Sequence, residues 1–159
     1  RLAHLAVFLV KPFRRAKQLA DRHAPVLEQL ALSEFIRSGM YERHLRRLKR
    51  INERRRSALI QAISTHLGDR ASIEGTDSGL HIVLWIRDIP RSAEQSLVTR
   101  AKERGVAIWP VSPLYAEGAR LRRKRCAGFI LGYASLSTEQ ITEGVRLLET
   151  VLQPQQIIY

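Results

Sequence analysis

The sequence predicts an α/β chain in which long helices lead into a small C-terminal α+β layer, a three- to four-stranded sheet with two helices. Three observations predict it. From Val26 to Leu67 runs a stretch without proline, broken only by Gly39, whose apolar residues recur at helical spacing. At Ser78–Ile86 (SGLHIVLWI) the apolar period changes from 3.6 to 2, as a strand requires. Finally, Ser137 followed by Gln140 makes a capping box ahead of a regular apolar stripe.

Taken in order, residues 2–10 (LAHLAVFLV) are short and apolar and read as a buried strand stopped by Lys11-Pro12. Phe13 to His23 reads as a short helix ended by Pro25, with Phe13, Lys17, Leu19 and Ala20 near one face. Leu27, Leu30, Ala31 and Phe35 then make one helical stripe, and Ser38-Gly39 ends that helix or kinks it. A second helix carries Tyr41, Leu45 and Leu48, then Leu59, Ile63 and Leu67. Its stripe lapses where Asn52 and Arg55 take inward positions, and Gly68-Asp69 closes it.

In the second half, Leu80, Val83 and Trp85 alternate with less apolar neighbours, and Ala71–Glu74 is the expected hairpin partner of that strand. Arg91–Arg104 is an amphipathic helix with Leu97, Val98 and Ala101 inward and Gly105 as its cap. Val106–Trp109 reads as a strand stopped at Pro110, and 110–125 as a loop ending in the basic run Arg120–Arg125. Ala127–Ala134 is a third strand. The last helix places Ile141, Val145, Leu148 and Leu152 on one stripe and ends near Pro154, leaving a loosely held tail.

The 159 residues are one domain's worth of chain, and 45% hydrophobic content predicts a globular core. The formal net charge is +12, which permits an anionic partner. One cysteine, Cys126, excludes an intrachain disulfide and a thiolate metal site. No glycine-rich phosphate loop, His-x-x-x-His or Gly-x-Ser-x-Gly is present, and the histidines (His4, His23, His44, His66, His81) are scattered. No catalytic or metal-ligating residue is assigned. The apolar run 2–10 is too short to cross a bilayer. Tyr41–Arg56 holds eight Lys or Arg against two Glu, so the long helix is either a spine for the fold or a surface for an anion. On the second reading Arg43–Arg56 is a basic nucleic-acid-binding module, with Arg43, Arg46, Arg47, Lys49 and Arg50 along phosphates.

Several segments in order carry a resemblance: 12–50 (PFRRAKQLADRHAPVLEQLALSEFIRSGMYERHLRRLKR), then SGLHIVLWI, GVAIWPVSPLY and GFILGYASLSTEQITEGVRLL. Together they resemble the C-terminal part of the aminotransferase-like domain of MocR-type (GntR-class) regulators. In these, a winged-helix DNA-binding domain is fused to a domain similar to fold-type-I, class I/II aminotransferases that depend on pyridoxal 5'-phosphate. The resemblance implies that 1–25 is a remnant of the large cofactor domain, 26–67 an interdomain helix region, and 68–159 the C-terminal small domain.

It also implies that the Schiff-base lysine, in a Ser-x-Ser-Lys-type motif, lies upstream of residue 1. Arg1, opening Arg1-Leu2-Ala3-His4, falls where the family's phosphate-contacting arginine stands, though Ala3 and His4 replace the family's glycine and tyrosine. In GFILGYAS the position of the family's carboxylate-clamping arginine is Ile130. The absence of an initiator methionine and the opening inside an apolar run are those of a cut end. The expectations that follow are an inactive segment of a transaminase or cofactor-sensing regulator that binds no pyridoxal phosphate by itself. The complete protein is expected to be a cytoplasmic homodimer that meets an amino-acid substrate or effector and touches DNA only through a winged-helix domain. The long helix is then a spine.

Overall fold

The computed structural model describes residues 2–21, 25–77, 79–115 and 125–153. The chain divides into two compact units, Arg1–Arg46 and Arg47–Tyr159.

The first unit is helical. Helix α1 runs from Leu2 to Asp21 and passes through Pro12, so the expected strand over 2–10 is a helix instead. The reason lies in composition. Leu and Ala are strong helix formers, only Val7 and Val10 in that run are β-branched, and a short apolar run does not distinguish strand from helix. Pro12 lacks the N–H that would meet the carbonyl of Phe8, a local defect that the turns on either side tolerate. Nor are its described side chains buried: Val7–Val10, Phe13 and Leu19 are all exposed. Helix α2 (Val26–Arg37) ends at Ser38, and Gly39 turns the chain at φ 73° before α3 (Met40–Leu67) begins. That left-handed backbone suits glycine. The elbow is filled by Phe35, whose ring meets Tyr41 edge-on at 6.0 Å and His44 at 6.4 Å.

The second unit holds the core. Strands β1 (Ala71–Glu74), β2 (His81–Pro90), β3 (Trp109–Pro110) and β4 (Cys126–Gly132) form one antiparallel sheet in the order β1-β2-β4-β3. The hairpin expected for Ala71–Glu74 is present, in the register Ser72↔Trp85 and Glu74↔Val83. Helices α4 (Glu94–Glu103) and α5 (Thr138–Leu152) supply the helical layer, together with the C-terminal half of α3.

The register Ile82↔Leu131, Leu84↔Phe129 and Ile86↔Ala127 puts these six on one sheet face. All are buried, against Leu97 and Ala101 of α4, Ile141, Val145 and Leu148 of α5, and Leu59, Ala62, Ile63 and Leu67 of α3. The inward set of β2 is therefore Ile82, Leu84 and Ile86; a strand apolar on both faces does not declare its core side by hydropathy alone. The expected strand 106–109 reduces to Trp109–Pro110, because the Val106 N–H returns to the Ala101 carbonyl and completes the α4 C-terminus.

Along α3 the apolar stripe behaves in two ways. Leu59, Ile63 and Leu67 are buried, whereas Tyr41, Leu45 and Leu48 are exposed. The lapse at Arg55 has a local explanation: its guanidinium Nη1 donates to the Ala134 carbonyl just past β4. Helix α5 starts as expected, with the Ser137 hydroxyl accepting from the Gln140 N–H at 3.2 Å and the Gln140 side chain accepting from the Ser137 N–H at 2.9 Å.

On the other sheet face Trp85 is buried because its partner is Gly128. A Cβ at Gly128 would stand 2.5 Å from the indole ring, and Glu74 Oε2 accepts the indole N–H at 3.1 Å. Gly128→Ala is expected to destabilise the chain by about 1–3 kcal/mol, the usual cost of overpacking. Urea denaturation checks this. In a double-mutant cycle, Trp85→Leu should remove most of the Gly128→Ala penalty.

Candidate functional site

The outer sheet face carries Ile130, the position where the resemblance leads one to expect a carboxylate-clamping arginine. Ile130 sits mid-strand on β4, paired with Val83 on one side and Trp109 on the other, and is half-buried. Its neighbours on the same face of β4 are Gly128 and Gly132. Each glycine seats a ring, Trp85 on Gly128 and His81 on Gly132, where an added Cβ would lie 3.3 Å from His81 Cδ2. The strand thus offers this face an isoleucine between two glycines and no side chain that could pair with a carboxylate.

Beyond His81 and Gly132 the face opens into a groove of about 850 Å³, bounded by Trp109, Leu136, the start of α5 and the turn Gly105–Ala107. Trp109 is 56% exposed. Tyr133 is buried at the groove's root, its hydroxyl donating to the Gly79 carbonyl at 2.7 Å and its N–H to the Leu80 carbonyl at 3.3 Å. Besides Tyr133, the ionisable groups among the described lining residues are His81, Glu139 and Glu143, with no lysine or arginine. The Ser137 hydroxyl, its own backbone N–H and the Thr138 hydroxyl hold the Glu139 carboxyl below the ordinary glutamate range. Glu143 is lowered chiefly by the forked bond from Arg146, with Nε at 2.7 Å and Nη2 at 2.6 Å. Both stay anionic at neutral pH, Glu143 as the partner of Arg146.

The residue that holds this face in place was not legible in the sequence. Glu94, only 3% exposed, opens α4 and points its carboxylate at two backbone donors, Gly128 N–H at 2.9 Å and Ser112 N–H at 3.1 Å. The Val111 N–H also reaches the Gly128 carbonyl at 3.0 Å. Glu94 therefore fixes the chain around Trp109 against β4. A glutamate in the first turn of an amphipathic helix reads as a solvated charge complementing the helix dipole, and only the tertiary fold shows otherwise.

Arg1 and 120–124 of the basic loop lie outside the described residues, as does the tail 154–159. Of the histidines, His66 Nδ1 meets Glu149 Oε2 at 2.9 Å and His44 stacks in the α2–α3 elbow. Among the described residues no group of three or more His, Cys, Asp or Glu could hold a metal. No helix among them is long and apolar enough to cross a membrane.

No family model matches the chain. Individual proteins do. An uncharacterised HTH-type transcriptional regulator of Bacillus subtilis, YhdI, is 32% identical over 146 residues, 92% of this chain and 30% of its own length. The α-aminoadipate aminotransferase LysN of Thermus thermophilus, solved with N-(5'-phosphopyridoxyl)-L-leucine, superposes with a TM-score of 0.70 at 30% identity, covering 87% of this chain and 33% of that one. The chain is an aminotransferase-like segment. The probable rhizopine catabolism regulatory protein MocR of Rhizobium meliloti is similar over 89% of the chain, at 28% identity and 27% of its length. The segment thus spans about a third of the proteins it matches.

Among the described residues, the lining of this groove offers no lysine or arginine for a phosphate or an aldehyde such as those of pyridoxal phosphate, and the α5 N-terminus is already satisfied by its capping box. Two outcomes follow for the site. Glu94→Ala leaves two buried N–H donors unmatched and is expected to cost about 2–4 kcal/mol, read by thermal or urea unfolding. Because the folded carboxyls of Glu139 and Glu143 titrate low, their contribution is full above the unfolded glutamate range and fades as pH falls through the folded values. NMR titration should put both midpoints below those of the same residues in unfolded peptides.

Proposed function

We propose that this chain is the C-terminal part of an aminotransferase-like domain whose complete protein is a cofactor-sensing transcription regulator rather than a working transaminase. The observation that carries the reading is Ile130. It stands between Gly128 and Gly132 on the face where the family resemblance places a carboxylate-binding arginine, and its alkyl side chain cannot pair with an amino acid's carboxylate. The regulator YhdI and the aminotransferase LysN are similar to the chain to nearly the same degree, so the choice between the two rests on Ile130.

On this reading 1–25 belongs to the large cofactor domain, 26–67 to an interdomain helix region and 68–159 to the small domain. Arg1 contacts the phosphate of pyridoxal phosphate once the rest of that domain is in place. The complete protein is a cytoplasmic homodimer that takes an amino-acid effector and reaches DNA through a winged-helix domain. The segment alone binds no cofactor and has no catalytic activity, a reading supported by the lack of a lysine or arginine among the described residues of its groove.

Incubation with pyridoxal phosphate, borohydride reduction and mass spectrometry tests this directly. The expected outcome is no stoichiometric adduct on Lys11, Lys17, Lys49, Lys102 or Lys124. A single lysine labelled to completion would overturn the claim that the segment binds no cofactor.

A further inference from the structure

The basic part of α3 separates into two sets once its ion pairs are known. Arg46 is engaged by Glu42 at 2.7 Å and Lys49 by Glu53 at 3.9 Å, while Arg55 is spent on the Ala134 carbonyl. Among the described residues Arg47, Arg50 and Arg54 have no such partner, and all three are exposed. Their spacing of three and four puts them on one row, and Ser57, Gln61 and Thr65 extend that row at the same rhythm. All six are exposed and none is acidic. At ~1.5 Å per residue the row is ~27 Å long, and it lies opposite the face that buries Leu59, Ile63 and Leu67.

We propose that this row is a nucleic-acid contact surface that follows the phosphate backbone of a duplex, independent of any winged-helix domain. Guanidinium groups fork onto phosphate oxygens, and the serine, glutamine and threonine beyond them are uncharged donors of the kind that phosphate contacts use. A regular, acid-free row suits a polyanion of even charge spacing. A membrane surface is disfavoured because from Leu59 onward the apolar face of α3 is in the core and has nothing to insert. With that face occupied, the helix lies along the backbone and reads no bases. The proposal goes beyond the proposed function and stands or falls separately from it.

Fluorescence anisotropy of the whole chain against a labelled ~20-base-pair duplex, from ~50 to ~200 mM salt, tests it. The expected result is binding at the low-salt end that is indifferent to base sequence. Changing Arg47→Gln, Arg50→Gln and Arg54→Gln together should flatten the log K against log salt slope by about 2.5–3, three phosphates at about 0.9 each. The corresponding Lys variants should keep the slope. Lys11→Gln, Arg14→Gln and Arg15→Gln make the same change in net charge on α1 and should leave most of the affinity intact.

No duplex binding at low salt would overturn the proposal. So would an equal loss in the α1 variant, an unchanged slope in the α3 variant, or binding to phosphatidylserine vesicles in place of the duplex. Circular dichroism of each variant confirms that α3 is retained, which exposed helical glutamines should ensure. The borohydride experiment has no bearing on any of these outcomes.

Discussion

A single buried carboxylate holds the outer part of the sheet together. Strand β3 has only two residues, one of them a proline, and cannot keep itself in register by ladder bonds alone. Glu94 supplies what is missing, because its two oxygens accept N–H groups from β4 and from the turn after β3. Burying a carboxylate is costly unless it is well bonded, and here two charge-assisted bonds to backbone meet that requirement. The helix that brings Glu94 into place is in turn held by Leu97 and Ala101 in the core, so α4, β3 and β4 stand or fall as a group.

The same face shows why its chemistry is sparse. β4 alternates large core residues with Gly128, Ile130 and Gly132, and the glycines are used to accommodate Trp85 and His81 from the neighbouring strand. Space that could have held functional side chains on β4 is filled by rings from β2. What polar character the region has comes from the α5 turn, where the capping box and the Arg146–Glu143 fork fix the carboxylates in place. The result is a largely apolar groove whose described lining holds no lysine or arginine.

Much of this architecture was legible in the sequence where local and global signals agreed. The α2–α3 elbow at Gly39, the hairpin of Ala71–Glu74, the Gly105 cap and the Ser137 box each rest on short-range chemistry that the fold preserves. A short apolar run left the period undecided at 2–10, and where both faces of a strand are apolar, as in β2, hydropathy does not declare the core side. The strand that carries Ile130 was expected from the sequence and is present as β4. Glu94 could not be placed from the sequence, since its role depends on two backbone groups 18 and 34 residues away. Arg55 is similar: its interruption of the stripe was visible, and its partner 79 residues on was not.

The brevity of β3 also bears on how this chain behaves in company. The open edge of a sheet is a template on which another molecule's strand can grow, and natural proteins blunt such edges by shortening them or by removing donors. Here one edge strand contributes two residues, with Pro110 lacking an N–H altogether, and the other contributes four. Neither offers a run of donors and acceptors long enough to nucleate a ribbon between molecules. Resistance to fibril growth is thus built into the sheet margins, whatever its helices do.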